Sequence, residues 1–393
     1  MAGNTVLLKD VIRVNPRYQR SVHLEKDFQN HGLDQDYHIT PTAIDMLRRI
    51  VAGVQDDAMV RAWTLTGPYG VGKSAFGVFL TRVLCDGSDQ GIDARQRLQR
   101  TAPALADVIL EYAPEPPARK GVFPVLVTAR RGPAISIIAD ALMEAHKRLD
   151  SHFSGFDAVI PNGTEPDTKT VLDMALSLIQ LCSGANFTGV LLLIDEMGKL
   201  FEYAARYPQK GDLFILQMLA EMANRSSALP FLITGFLHQS FEEYAVYLDL
   251  VTRREWAKIQ GRFEDIPFVE PVSQLITLVT RAVECQPGTL DPAIEKIIRK
   301  VVGFADRTRA IPPEIRKEQF ESDACAAYPL HPVTLAALPH FFRRFAQNER
   351  SLFSFLCSQE PGGFQDFIAH TYISVTDIPF IRLCDLFDYG AWF

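Results

Sequence analysis

The sequence lacks the features that mark exported, membrane-spanning and metal-knuckle proteins. Its longest aliphatic run of note, Val190 to Ile194, is five residues, whereas a bilayer span needs about 20. No segment is expected to cross a membrane. The six cysteines (Cys85, Cys182, Cys285, Cys325, Cys357 and Cys384) lie at least 27 residues apart and form no C-x-x-C pair. Neither a zinc knuckle nor a disulfide framework is expected, and they read as reduced cytosolic thiols. The opening MAGNTVLLKDVIRVNPRYQR has no long apolar core followed by a small-residue cleavage site, so a cytoplasmic chain is expected. Positive charge is not in excess either: 40 Lys plus Arg face 47 Asp plus Glu, a formal net charge of -7. That balance argues against a surface that is basic throughout and leaves room only for a local basic groove. No Ser-His-Asp or Cys-His arrangement has a recognisable local context, and the nine histidines show no metal-ligand spacing.

What is present is ordinary globular composition, 47% apolar and 22% charged over 393 residues, enough for two or three domains. Thr40 followed by Pro41 supplies a cap and a first-turn proline, predicting a helix from Pro41 to about Val54. Trp63 to Thr66 is β-prone and leads through a glycine-rich turn into a helix over Ser74 to Leu84. Residues 87–120 read as a polar surface insertion with a helix from about Ala94 to Ala113. Strands are expected at Val122 to Thr128, Gly189 to Ile194, Phe231 to Thr234 and Phe263 to Phe268. Helices are expected over 134–148, 168–181, 211–225 and 253–260. Strands alternating with helices in this way predict an α/β fold with a parallel sheet sandwiched by helices. Beyond Pro271 the pattern is helical only, with periodic stretches near 272–284, 291–303, 332–346 and 349–357. The aromatic-rich end, Asp385 to Phe393, would require burial, and the chain reads as the front part of a longer protein.

Gly67-Pro68-Tyr69-Gly70-Val71-Gly72-Lys73-Ser74 matches G-x-x-x-x-G-K-[ST] between a strand and a helix. Its glycines let backbone N–H groups wrap phosphate oxygens, and the helix N-terminus adds the positive end of its dipole. Lys73 would reach the β- and γ-phosphates and Ser74 would ligate Mg²⁺. Gly67, Pro68, Tyr69, Gly70, Val71, Gly72, Lys73, Ser74 and Ala75 are therefore the candidate ATP-binding residues. The apolar strand ending at Ile194 delivers Asp195 and Glu196 to the carboxyl edge of the sheet, where open α/β sheets bind ligands. Asp195 is the second candidate Mg²⁺ ligand, and Glu196 is the candidate that polarises the attacking water.

This order of pieces resembles the AAA+ ATPases, and within them the origin-recognition and initiator group, over roughly residues 40–355. The resemblance implies an AAA+ core over 41–268 behind an arm over 1–40, and a helical lid over 269–355. The start of a further domain, winged-helix or truncated, would occupy 356–393. It also implies a γ-phosphate sensor at His238, with Thr234 as second choice and a helix-cap or surface role for His238 as the alternative. Gln260 to Phe268 is similar to the initiators' S-R-F box, which makes Arg262 the arginine-finger candidate. An ion pair with Glu264 or Asp265 is its alternative role, and Arg253 and Arg254 compete for the position. Gln347 to Leu352 resembles the segment carrying a second sensor arginine, here Arg350, whose alternative is packing within its own domain. Tyr37 and His38 are placed nearest the adenine. The phrases at 193–204, 235–245, 256–263 and 328–332 are similar to large ATPases of bacterial anti-phage defence systems of BREX type.

The resemblance thus implies an ATP-hydrolysing enzyme that assembles with copies of itself and remodels a DNA or protein complex, with partner subunits of a multi-component system. Arginines at 130–131, 253–254, 307, 309 and 343–344 are the candidates to line a DNA path, or else solvated helix faces. The alternative function is a nucleotide-controlled switch or scaffold with slow hydrolysis.

Overall fold

The computed structural model describes residues 6–15, 18, 22–30, 37–150, 166–208, 213–226, 229–246, 248–286, 292–345, 352–374 and 378–391. The chain forms two compact units, one of residues 22–67 and 72–269 and the other of residues 1–21, 68–71 and 270–393. In chain order the elements begin with β1 (Val6–Leu7), β2 (Ile12–Val14), α1 (Leu24–Gln29), α2 (Pro41–Gln55), β3 (Ala62–Thr66) and α3 (Lys73–Cys85). They continue with α4 (Asp89–Thr101), α5 (Pro103–Leu110), β4 (Val122–Thr128), α6 (Ala134–Leu149), α7 (Thr168–Gly184), β5 (Gly189–Asp195) and α8 (Gly198–Arg206). Next come α9 (Phe214–Arg225), β6 (Phe231–Leu237), α10 (Phe241–Tyr244), α11 (Leu250–Gln260) and β7 (Glu264–Pro267). The last are α12 (Val272–Ala282), β8 (Val283–Cys285), α13 (Pro292–Arg307), α14 (Lys317–Ala326), α15 (Pro332–Phe345), α16 (Leu352–Cys357), α17 (Phe364–His370), β9 (Tyr372–Ile373) and α18 (Leu383–Ala391).

The first unit is built on a five-stranded parallel sheet in the order β4-β5-β6-β3-β7, flanked by helices. Every residue of β5 and of β6 is buried, as their continuous apolar runs require of central parallel strands. Val190, Leu192 and Ile194 share one buried cluster with Val171, Met174 and Leu178 of α7 and Leu216 and Leu219 of α9. The alternate residues Leu191 and Leu193 point to the other face of the sheet. The Thr40 hydroxyl accepts from the Ala43 N–H at 3.1 Å, fixing the start of α2 where the cap and Pro41 predict it.

Several boundaries differ from the sequence reading. β6 runs three residues past Thr234, because Gly235-Phe236-Leu237 is as buried as the strand before it. The insertion holds two helices rather than one, split where Pro103 starts α5. It is also less peripheral than its polarity suggests, since Ala94, Leu98, Ala106 and Ile109 are buried. The buried Arg95 guanidinium donates to the carbonyls of Val83 and Asp86 at the end of α3.

Among its described residues the second unit is mainly helical, with two short antiparallel strand pairs that the sequence reading missed. β2 pairs with β8, Ile12 facing Cys285, and β1 pairs with β9, Val6 facing Ile373. Two or three residues are too few to carry a readable alternation. These pairings place residues 6–14 inside the same core as α12–α18, where the reading set an arm over 1–40 apart. Leu8 and Ile12 share one cluster with Ile276, Ile298, Phe320, Leu335 and Phe355. Phe364, Ile368, Leu386 and Tyr389 join that cluster, so 364–391 packs with the helical region rather than starting a separate core. α14 was also missed, its apolar periodicity being the weakest of the long helices. Of the aromatic-rich end, Leu386 and Tyr389 are buried and Phe387 is exposed, while Trp392 and Phe393 lie outside the described residues. Among the described residues, no helix is long and apolar enough to cross a membrane.

Candidate functional site

β3 ends at Thr66, and the Gly67 N–H donates to the Leu237 carbonyl of the neighbouring β6 at 3.1 Å. The loop then turns through Gly70 (φ 75°) and Gly72 (φ 91°), left-handed conformations that only glycine adopts without strain. Gly72 is the cap residue of α3 and has no side chain to bond the first N–H groups. The start of α3 therefore presents uncapped donors and the positive end of its dipole, which suits a phosphate. α3 starts at Lys73, one residue earlier than the sequence predicts.

Lys73 Nζ donates to the Gly67 carbonyl. Burial pushes its ammonium down to about 8, against the opposing pull of Asp195 and Glu196. The Ser74 hydroxyl hydrogen-bonds the Asp195 carboxylate, joining the loop helix to the end of β5. Burial raises the Asp195 pKa, opposed by the Ser74 bond; the Glu196 charge raises it further, and the Glu196 N–H and Lys73 work against both. A hydroxyl and a carboxylate oxygen brought together in a buried site that resists more negative charge fit Mg²⁺, a hard cation that takes oxygen ligands.

Glu196 follows Asp195 with φ 55°, a left-handed conformation that non-glycine residues seldom adopt. Its N–H donates to Asp195 Oδ1 at 2.9 Å, and its carboxylate lies 3.4 Å from Lys199 Nζ. The turn is pinned from behind, since the Met197 N–H donates to the Phe236 carbonyl of β6 at 3.0 Å.

His238 directly follows β6, at the same carboxyl edge of the sheet as Asp195 and Glu196. The Tyr244 hydroxyl lies 2.9 Å from its Nδ1, and Glu202 Oε1 lies 3.8 Å from its Nε2. Burial is the largest influence on the imidazole and lowers its pKa; Glu202 and Glu196 pull the other way. Arg131 donates to the other oxygen of Glu202 at 2.8 Å. Thr234, the second sensor candidate, sits inside β6, fully buried, with no hydrogen bond to its hydroxyl among the described residues. Tyr37 stacks on Phe79 of α3 with ring centroids 4.9 Å apart, and Arg97 donates to its carbonyl at 3.4 Å. His38 follows it in the loop that leads to α2.

Arg262 lies in the turn before β7, and the strands are parallel. It is therefore at the opposite edge of the sheet from the phosphate loop, about 15 Å away for a five-residue strand at ~3.3 Å per residue. Its Nε pairs with Glu221 Oε1 of α9 at 2.9 Å. Glu264 instead binds Arg49 and the Trp63 indole, and Asp265 accepts from Thr64 and Thr66. Arg253 donates to the Val246 carbonyl, and Arg254 is exposed. Arg350, the lid candidate, lies outside the described residues.

Arg130 and Arg131 pair with Asp140 and Glu202. Arg343 donates to the Glu270 carbonyl, while Arg307, Arg309 and Arg344 are exposed on the helical unit. Sequence reasoning missed Tyr244, Glu202, Glu221 and Asn224. A readable signal existed for the first. Ser240-x-x-Glu243 is a capping box, both halves of which form, and it starts α10 so that Tyr244 turns back onto His238.

No family model matches the chain, and no curated protein does. Among solved structures it is similar to the Aeropyrum pernix ORC1 protein in complex with DNA, at 17% identity and a TM-score of 0.36. That match covers 86% of this chain and 66% of the other, so the chain spans just under two thirds of its length. It is also similar to the Aeropyrum pernix ORC2 protein in ADPNP-ADP complexes, at 10% identity and a TM-score of 0.39, covering 80% of this chain and 72% of that one.

Proposed function

We propose that this chain is an ATP-binding and ATP-hydrolysing AAA+ ATPase of the initiator-like group. It acts as a homo-oligomer and couples turnover to remodelling of a DNA or protein complex. One observation carries the reading: the loop helix and the β5 end are joined through Ser74 and Asp195, with Glu196 held beside them. The finer placement, with partner subunits in a BREX-type anti-phage defence system, is supported by the sequence phrases alone.

In this reading the N–H groups around Gly70, Gly72 and Lys73 hold the phosphates, and the Lys73 ammonium offsets their charge. Ser74 and Asp195 would hold Mg²⁺, which supplies charge neutralisation at the phosphate oxygens. The Glu196 carboxylate takes a proton from water as its oxygen bonds the γ-phosphorus, and the bond to the β-phosphate oxygen breaks to release ADP. His238, kept neutral by burial, orients a donor toward the transferring group. Arg262 cannot serve the loop of its own chain from the far edge of the sheet, so it acts on the nucleotide of a neighbouring copy. Arg350 is assigned the lid contact, and Tyr37 and His38 the adenine. The switch reading draws on the Lys199–Glu196 contact, which engages the proposed base and would slow turnover.

The test is ATP turnover against protein concentration, with and without duplex DNA, for the parent, Lys73→Ala, Glu196→Gln and Arg262→Ala. Turnover that rises with concentration and is lost in all three variants is expected. Binding without turnover in the parent would favour the switch, and turnover retained in Glu196→Gln would remove the assigned base.

A further inference from the structure

The turn that carries Arg262 meets two side chains of α9, Glu221 and Asn224. α9 buries Ile215, Leu216, Leu219, Ala220 and Ala223 in the sheet core, which fixes the helix. Gln217, Glu221 and Asn224, spaced i, i+4 and i+7, lie off that buried face. Glu221 Oε1 forms an ion pair with Arg262 Nε at 2.9 Å and accepts a hydrogen bond from the Gln217 amide at 3.0 Å. Asn224 holds the backbone: its Nδ2 donates to the Arg262 carbonyl at 3.2 Å, and its Oδ1 accepts from the Arg61 N–H at 2.8 Å. Arg61 immediately precedes β3, whose other end opens the phosphate loop. Both the main chain and the guanidinium of Arg262 are thus referenced to the strand that leads to Gly67.

An arginine with a half-exposed side chain ordinarily samples many rotamers, and ordering it carries a cost of about 2 kcal/mol in side-chain entropy. The close contact with Glu221 is made by Nε, the inner nitrogen, rather than by either terminal nitrogen of the guanidinium. A lone surface ion pair of this kind contributes little stability. The second bond from Gln217 and the backbone clamp by Asn224 are what make it a fixed mount.

We infer that Glu221 and Asn224 are positioning residues for Arg262, presenting its guanidinium toward the nucleotide of a neighbouring copy. This rests on the arginine-finger reading above. Glu221 touches neither nucleotide nor the reacting atoms of its own chain. Its effect should therefore appear only in trans.

The experiment mixes two forms of the full chain. Arg262→Ala supplies intact nucleotide sites without a finger, and Lys73→Ala supplies fingers without a working site. Turnover of the mixture should exceed that of either alone. Adding Glu221→Ala to the Lys73→Ala partner should cut the recovered turnover about tenfold, as a misplaced catalytic group does. Glu221→Gln in the same background keeps an acceptor for Nε and should restore most of it. Asn224→Ala should weaken recovery in the same direction. A structural role alone would not act from the partner that carries no working site. If Glu221→Ala fails to fold, Asn224→Ala in the same background carries the comparison. Recovery that is unchanged by these substitutions overturns the positioning role and leaves the finger reading standing. Full turnover in Arg262→Ala alone, or no recovery with Lys73→Ala, overturns both.

Discussion

The Tyr244 hydroxyl, carried on the single-turn α10, lies 2.9 Å from Nδ1 of His238. The two rings meet edge to face at 82°. The contact holds an imidazole at the carboxyl edge of the sheet without burying it completely. Tyr244→Phe removes the hydroxyl and keeps the ring on Phe201, against which it stacks. Turnover should fall about tenfold, while nucleotide affinity stays within about twofold, since the substitution perturbs orientation and no phosphate contact. Steady-state kinetics beside equilibrium binding of a labelled nucleotide would separate the two. A loss confined to affinity would remove His238 from the transition state.

Gly235 lies where β6 passes Met197, and a Cβ added there would stand 2.0 Å from the Met197 sulfur. Met197 is the residue that pins the turn after Glu196, through its N–H on Phe236. Gly235→Ala should therefore destabilise the unit by about 1–3 kcal/mol, as overpacking does, and lower turnover with it. Urea unfolding followed by tryptophan fluorescence gives the first number. A stability change below about 0.5 kcal/mol would mean that Met197 relocates without cost.

What could be read in the sequence was what local pattern encodes. The phosphate loop, the apolar β5 run with its terminal Asp195-Glu196 and the alternation of strands and helices all lie within short windows, and the five strands of the sheet form within a few residues of their expected bounds. What could not be read depends on distant pairing. The alternative role for Arg262, an ion pair with Glu264 or Asp265 two and three residues away, names the wrong acids: its partner is Glu221, 41 positions earlier on α9. The nearer acids are taken by Trp63, Thr64 and Thr66 of the adjacent strand, a register that no local window contains. The strand pairs β1–β9 and β2–β8 join segments more than 250 residues apart in the chain, beyond any periodicity argument.

Two histidines of the first unit have pKa values below the ordinary 6.5, and in both the leading cause is burial. His146 is fully buried, with Nδ1 on the Leu142 carbonyl at 2.8 Å; Leu142, like Ile138 before it, packs in the same apolar cluster. Facing His238 are Glu202, Glu196, Lys73 and Glu243. With the native pKa depressed, the unfolded chain binds more protons in the window just below pH 6.5. Stability should therefore rise with pH through that window and level off above it, each histidine contributing a slope of at most about 1.4 kcal/mol per pH unit. Urea midpoints from pH 5 to 8 would trace it, and His146→Gln should flatten the acid limb. A midpoint that improves on acidification would contradict the sign.

Arg61, 2% exposed, immediately precedes β3. Its Nε donates to the Gly53 carbonyl of α2 at 2.6 Å, and Nη1 donates to the Ser226 carbonyl just past α9. Burial lowers its pKa, against the pull of Asp57 and Asp56, yet arginine remains charged. The guanidinium thus ties two helix ends to the strand that opens the phosphate loop. Arg61→Met fits the space and abandons both carbonyls, so it should cost about 3 kcal/mol. Because Ser226 lies two residues beyond Asn224, the same change should loosen the mount of Arg262. In the mixing assay an Arg61→Met, Lys73→Ala partner should then restore less turnover than Lys73→Ala alone. Equal recovery, with the stability loss present, would confine Arg61 to holding the fold.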